Sequence, residues 1–278
     1  MNILGIDFED WYHPELIQNH VEEKKRIPKI VFGIDKILDF LKNNNTKATF
    51  FIVGDLIKHN PELVDKILEN DHEIGFHTMN HVRLDKINQD EFEKQIDEFD
   101  VLTNGKSIGF RAPTFSLNEK SSWVINTLKN KKYQYDSSVV PAKTRMYGIP
   151  TAELRPYRIS QENLVTDTIN GILEFPIMIT KFFRKKIPAG GGFYLRILPT
   201  KTIINSIKSY EKQNIPATFY IHSWELLPEL MPKIPLPIID NFITYHNLTK
   251  AKIKMEEILK KFEFTSFEEY IKKNEINL

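Results

Sequence analysis

The run Ala48-Thr49-Phe50-Phe51-Ile52-Val53-Gly54 constrains the fold of this chain more than any other stretch. It has the length of a strand, is apolar without strict alternation, and ends at glycine, as a strand covered on both faces does. Such a strand needs helices above and below it, and the neighbouring sequence supplies them. Val31 to Asn44 carries Ile34, Ile37, Leu38 and Leu41 at helical spacing, and Asn43-Asn44-Asn45 stops it. Downstream, Asn60-Pro61-Glu62 reads as a helix start, with Asn60 as N-cap and Pro61 as the first helical residue. Leu63, Val64, Ile67 and Leu68 form the inner stripe of that helix.

The same alternation extends in both directions. Strands are expected at 3–8, 72–76, 108–110, 133–136, 173–176 and 217–222, and helices at 89–103, 118–130 and 200–213. Through residue 136 strands and helices alternate, the rhythm of a parallel α/β fold. Polar residues fall just after the strands: Asp7, His77, Arg111 and Asp136. In a β/α barrel those C-terminal strand ends face one mouth, where active sites are built. No linker or repeat divides the chain. A single domain is expected, with a barrel over 1–240 and a helical extension packed on it over 241–278.

At that mouth His77-Thr78-Met79-Asn80-His81 offers two histidines four apart. On a helical turn their Cβ atoms would lie roughly 5–6 Å apart, close enough for both imidazoles to reach one cation. The chain has no cysteine, so a metal could be held only by His, Asp or Glu. With 38 basic and 37 acidic residues the net charge is +1, which gives no overall field favouring nucleic acid or membranes. The N-terminus carries no basic and apolar leader, and no apolar run is long enough to span a bilayer; a cytoplasmic location is expected. The glycine loop Ala189 to Arg196 lacks the lysine and the preceding strand of a phosphate cradle, and reads as a turn or a wall near substrate.

Five segments in order carry a family resemblance. They are Ile6-Asp7-Phe8-Glu9-Asp10-Trp11, Ala48 to Gly54, His77 to His81, Arg111-Ala112-Pro113-Thr114-Phe115 and Tyr220-Ile221-His222. Over about residues 3–225 the chain resembles the NodB-homology polysaccharide deacetylases, carbohydrate esterase family 4. Glu174-Phe175-Pro176, Gly190-Gly191-Gly192-Phe193 and Ile221-His222-Ser223-Trp224-Glu225 look most like a branch tied to bacterial exopolysaccharide and surface-glycan synthesis.

The resemblance implies a distorted (β/α)7 barrel, related to the TIM barrel, and metal-dependent N-deacetylation of an amino sugar. Carried over by position, Asp7 is the base, His222 the acid, Arg111 the partner of Asp7, and His77 and His81 ligands of one divalent ion. Zinc leads, with cobalt, nickel, iron and manganese as other candidates. The third ligand is open between two carboxylates, because this chain has Asp7-Phe8-Glu9-Asp10 where the family has adjacent aspartates. Asp10 is preferred for its short side chain; Glu9 is the alternative, since alternate strand residues share a face.

Around this set, Asp136 is either the partner that orients His222 or a turn aspartate, and His13 either lines the groove or lies at the surface. Trp224 and Tyr194 are candidate sugar-stacking rings, and Glu174 a candidate for substrate hydroxyls. His20, His59, His72 and His246 read as structural. The partner implied is an amino sugar or glycan precursor, with neither nucleic acid nor stable membrane insertion. The sugar and the oligomeric state stay open, and so do two other readings: hydrolysis of a non-sugar amide, and a non-catalytic glycan binder.

Overall fold

The computed structural model describes residues 1–183 and 185–276. Its strands are β1 (Asn2–Phe8), β2 (Thr49–Ile52), β3 (Glu73–Phe76), β4 (Gly109–Phe110), β5 (Tyr135–Asp136), β6 (Tyr157–Ile159), β7 (Ile172–Glu174), β8 (Ile179–Phe182), β9 (Lys185–Pro188), β10 (Thr218–His222) and β11 (Phe264–Thr265). The main sheet has nine strands in the order β10-β1-β2-β3-β4-β5-β7-β6, with β11 paired to β1 off that path. From β10 to β7 every pairing is parallel; β6 is antiparallel to β7 at the edge. This is the distorted seven-stranded β/α barrel the sequence implies. The gap between its two sides is bridged by irregular backbone, through the isolated pairs Ile177↔Thr218 and Gly191↔Tyr220.

The strand period of two explains the layering. Leu4, Ile6, Phe8, Phe50, Ile52, Ile74 and Phe76 point outward and pack with Ile37, Leu41, Ile67, Phe92, Ile96 and Phe99 of the surrounding helices. The alternate residues Ile3, Phe51, Tyr135, Leu173 and Phe175 fill the interior. Small inward residues make that filling fit: a Cβ on Gly5 would stand 2.6 Å from Arg111 Nη1, and one on Gly109 would stand 2.0 Å from the Tyr135 ring.

The tail is more than an extension laid on the barrel. Phe267 and Ile271, from the helix Phe267–Lys273, belong to the interior cluster, and Phe267 stacks on Tyr135 with centroids 5.0 Å apart and planes 6° apart. Burying such a ring contributes on the order of 2–3 kcal/mol. β11 adds a strand to the sheet, and a boundary drawn at 240 would cut the helix Ile238–Tyr245. Asn60 also differs from expectation. Its side chain donates to the carbonyl of Leu56 and closes a short helix, Gly54–His59, while Pro61 occupies the cap position of Glu62–Glu69.

Candidate active site

The register of β1 sets the site. Asp7 is the Cα partner of His222 on β10, and both are inward positions. Beyond β2, β3 runs out into His77, and β4 into Arg111. The strand alternation that buries Ile3 and Gly5 inside therefore delivers Asp7 to the mouth.

Past β3 the chain does not form the helical turn that the His77/His81 spacing suggests. Thr78 and His81 both take left-handed backbone, with φ of 58° and 52°, in a loop. Strain of this kind in non-glycine residues persists only where the surroundings fix it, and it gathers at functional sites. Here the fixing is visible: Gly54 N donates to Thr78 O, Asp55 N to Met79 O, and Met79 N to the Gln95 side chain. The two imidazole centroids end 4.9 Å apart. His77 Nδ1 donates to the carbonyl of Arg111 at 2.6 Å, which fixes its tautomer and leaves Nε2 free to ligate. Burial holds the His77 pKa down at about 4, so the ring is a neutral ligand at neutral pH.

The carboxylate facing these rings is that of Glu9. Glu9, His77 and His81 each offer a ligand atom, all within 4.8 Å of one another, and all three residues are buried. The preference for Asp10 is corrected. Asp10 turns to the other side, where its oxygens accept from the backbone N–H groups of Trp11, Lys29 and Ile30 and so brace the loop after β1. Glu9 keeps the inward face because the alternation of β1 continues one step past Phe8, held by a reciprocal pair of bonds between the Glu9 backbone and the Ser223 hydroxyl. Its Oε1 accepts from Trp224 Nε1 at 2.9 Å, while Oε2 lies 2.7 Å from His81 Nε2. Burial works to raise the Glu9 pKa, but the neighbouring histidines, His81 foremost, outweigh it and hold the group ionised.

On the Asp7 side, Arg111 Nη1 donates to Asp7 Oδ1 at 2.7 Å. The guanidinium is completely buried, donates to the carbonyl and hydroxyl of Ser137, and lies 4.1 Å over the Phe51 ring. On the opposite side His222 has a partner that the sequence reading missed. Its Nδ1 donates to Glu225 Oε2 at 2.8 Å, and Glu225 Oε1 accepts from Arg196 Nε at 2.7 Å. Arg196 is itself locked by the carbonyls of Ile243, Thr244 and His246. Burial alone would lower the His222 pKa; Glu225, then Glu9 and Asp7, reverse this and raise it to about 9. Glu225 lies three residues beyond His222 and bonds its backbone N–H as a capping residue, which is the signal that could have found it.

Asp136 does not orient His222. It is an outward position on β5, in register with Glu174 on β7, and the two buried carboxyls face each other. Burial raises both pKa values, Asp136 to about 6 and Glu174 further with the charge of Asp136 added. The pair supports the turn that holds Arg111: Ser138 bonds Asp136 and receives Ala112 N, and Glu174 accepts from Val139 N. Glu174 is therefore occupied away from the mouth.

Of the remaining candidates, Trp224 is largely buried and stacked on His222, with centroids 4.5 Å apart, and gives the pocket only part of its lining. Phe193, not Tyr194, lines the pocket, together with Leu16, Phe115, Met146, Tyr147 and Ile243. His13 is buried, accepts from Asp10 N, and stacks 6.1 Å from His81. His20 and His59 are exposed, His72 accepts from Ala48 N, and the His246 ring pairs with Asn247. The glycine loop is a wall: Gly191, at φ 130°, lies so close to β10 that a Cβ would meet Tyr220 O at 1.7 Å.

The donors suit a divalent metal. Two imidazoles and one carboxylate are a set found at hydrolytic zinc centres, where they leave positions open. His81 Nδ1 is buried without a hydrogen-bond partner among the described residues, and Glu9 Oε2 has only the approach of His81 Nε2 at 2.7 Å, a costly arrangement unless something else satisfies the cluster.

Two family models match parts of the chain. Residues 31–134 match the family described as polysaccharide deacetylase. The chain carries a polysaccharide deacetylase domain. Residues 137–272 match a second family, described as a domain of unknown function, DUF3473. A peptidoglycan-N-acetylglucosamine deacetylase of Bacillus cereus is 44% identical over 94 residues, 34% of each chain. A peptidoglycan-N-acetylmuramic acid deacetylase of Bacillus subtilis is 26% identical over 132 residues, 38% of this chain and 50% of the relative. The chain thus spans between a third and a half of these relatives. A solved Mycobacterium smegmatis structure assigned to the polysaccharide deacetylases shares the fold, with a TM-score of 0.60 at 14% identity, covering 99% of this chain and 92% of that one.

Proposed function

We propose that this chain is a metal-dependent hydrolase that removes the N-acetyl group of an amino sugar in a glycan, or in its nucleotide- or lipid-linked precursor. One observation carries the reading: the Glu9–His77–His81 cluster lies in a single pocket with Asp7 and His222, a carboxylate fixed by Arg111 and a histidine charged by Glu225. The names of the Bacillus relatives support the amino-sugar substrate.

A divalent ion, zinc in the first instance, held by Glu9, His77 and His81 would polarise the acetyl carbonyl and make water more acidic. Asp7, oriented by Arg111, takes the proton of the attacking water. His222, protonated at neutral pH, gives its proton to the sugar nitrogen as the C–N bond breaks, leaving acetate and a free amine. Phe115, Tyr147 and Phe193 give the pocket apolar walls for the sugar and its acetyl methyl.

The test is acetate release from N-acetylglucosamine oligomers and from nucleotide- and lipid-linked N-acetyl sugars, with the metal content of the same preparation measured. About one divalent ion per chain and release that stops in His77→Ala are expected. Release that His77→Ala leaves intact would overturn the reading.

A further inference from the structure

The net charge of +1 averages over an uneven distribution. Between Phe175 and Trp224 the sequence carries eight basic residues against a lone acid, Glu211. This segment contains the hairpin β8–β9, which pairs with no other strand among the described residues. Phe182 and Phe183 at its outer end are 63% and 89% exposed, a conspicuous apolar area to leave in water. Their rings pack edge to face, 4.8 Å apart at 84°, forming a compact apolar knob rather than a flat stacking platform.

Lysines flank that knob on the hairpin, and more lie on the helix beside it. Lys181 and Lys185 are exposed on the hairpin, and Lys201, Lys208 and Lys212 on the adjoining helix Thr200–Glu211. None of the five pairs with a carboxylate among the described residues. The hairpin is held beside the helix, with Ile179 N donating to the Tyr210 hydroxyl, and Lys186 Nζ donates to the carbonyl of Pro150. β9 then runs through Gly190 and Gly191, against Tyr220, to Phe193 on the pocket wall.

We propose that this hairpin and helix dock the protein on an anionic lipid bilayer, with Phe182 and Phe183 at the acyl boundary and the lysines on the headgroup phosphates. Exposed aromatics flanked by lysine match that interface, where rings partition at headgroup level and each basic side chain adds attraction to anionic lipid. A nucleic-acid surface would instead present open rings for stacking. The docking is peripheral; among the described residues no helix is long and apolar enough to cross a membrane. It does not depend on the deacetylase reading.

Sedimentation of the full chain with vesicles tests it, using phosphatidylcholine alone and phosphatidylcholine mixed with phosphatidylglycerol. Binding to the mixed vesicles, weakened by salt, is expected. The paired change Phe182→Ser and Phe183→Ser should weaken it about tenfold or more, and Lys181→Gln with Lys185→Gln should do the same on mixed vesicles only. All four positions are exposed, so thermal unfolding should match the parent and exclude misfolding. Failure of the parent to bind mixed vesicles, or undiminished binding by the double serine variant, overturns the proposal. So does an oligonucleotide complex or a dimer that the serine variant abolishes while vesicle binding is absent.

Discussion

Two glutamates in this barrel look alike until their neighbours are compared. Glu9 and Glu73 both occupy inward positions, on β1's continuation and at the start of β3, and are 1% and 5% exposed. Glu9 faces His81, His77 and His222, and its pKa falls in spite of burial. Glu73, at the opposite end of the barrel, meets uncharged donors: the Thr49 and Tyr135 hydroxyls and the backbone N–H of Glu268. There burial prevails and raises its pKa to about 7. Burial of a carboxyl therefore does not mark a site. The mark is cationic or metal-seeking company, the facing imidazoles that Glu9 has and Glu73 lacks.

The largest expected effects would break this contrast directly. Glu9→Gln or His77→Ala should lower metal affinity by more than about 100-fold, read by chelator competition, whereas Glu73→Gln should leave it unchanged. Equal metal loss from Glu9→Gln and Glu73→Gln would mean that the first acts only through stability. Next comes Asp7→Asn, which should cut acetate release about 10²- to 10⁴-fold while metal content stays at the parent level. Loss of the metal along with the activity would instead make Asp7 a ligand.

How far the site was legible follows from the same geometry. Asp7, His77, Arg111 and His222 could be located because each follows a short apolar strand, and strand ends in a parallel barrel converge. The helix Gln89–Thr103 was equally plain, since Asn88 and Glu91 form its capping box. The choice between Glu9 and Asp10 was not, because it turns on whether the alternation of β1 survives one residue past its last hydrogen-bonded partner. The left-handed backbone at Thr78 and His81 carries no glycine to announce it. Arg196 meets Glu225 across 29 residues of chain, a pairing no local pattern encodes. The plugging of the barrel by Phe267 is likewise invisible in a segment that reads as an ordinary amphipathic helix.

Glu225 gives a middle-sized effect that sharpens the comparison, because it is a buried glutamate kept ionised by partners on both sides. With the pKa of His222 raised from 6.5 to about 9, its imidazole stays protonated through neutral pH. Its contribution to stability is complete below 6.5 and is lost as pH rises through about 9. In Glu225→Gln the charge is gone and burial is left to act, so the alkaline limb of kcat/KM should move toward neutral pH. Activity at pH 8 should fall roughly 10- to 100-fold, with less loss near pH 6. A parallel drop at every pH would point to misplacement of His222 rather than loss of its proton.

Glu73 should give the smallest effect, and it concerns stability alone. Its folded pKa of about 7 exceeds the unfolded 4.5, so the folded state binds the extra proton. The stability this contributes is complete below about 4.5 and is lost as pH rises through about 7. Above that, keeping the carboxyl neutral or burying its charge costs up to about 3 kcal/mol. Glu73→Gln offers the same shape without that charge. Its amide can keep one oxygen as acceptor, although an N–H must now find a partner where Thr49 and Glu268 both donate. The variant should therefore lose some stability at pH 5 and recover it relative to the parent by pH 8, narrowing or reversing the gap in Tm. A gap independent of pH would show that Glu73 is ionised in the folded barrel, and its difference from Glu9 would then lie in the metal alone.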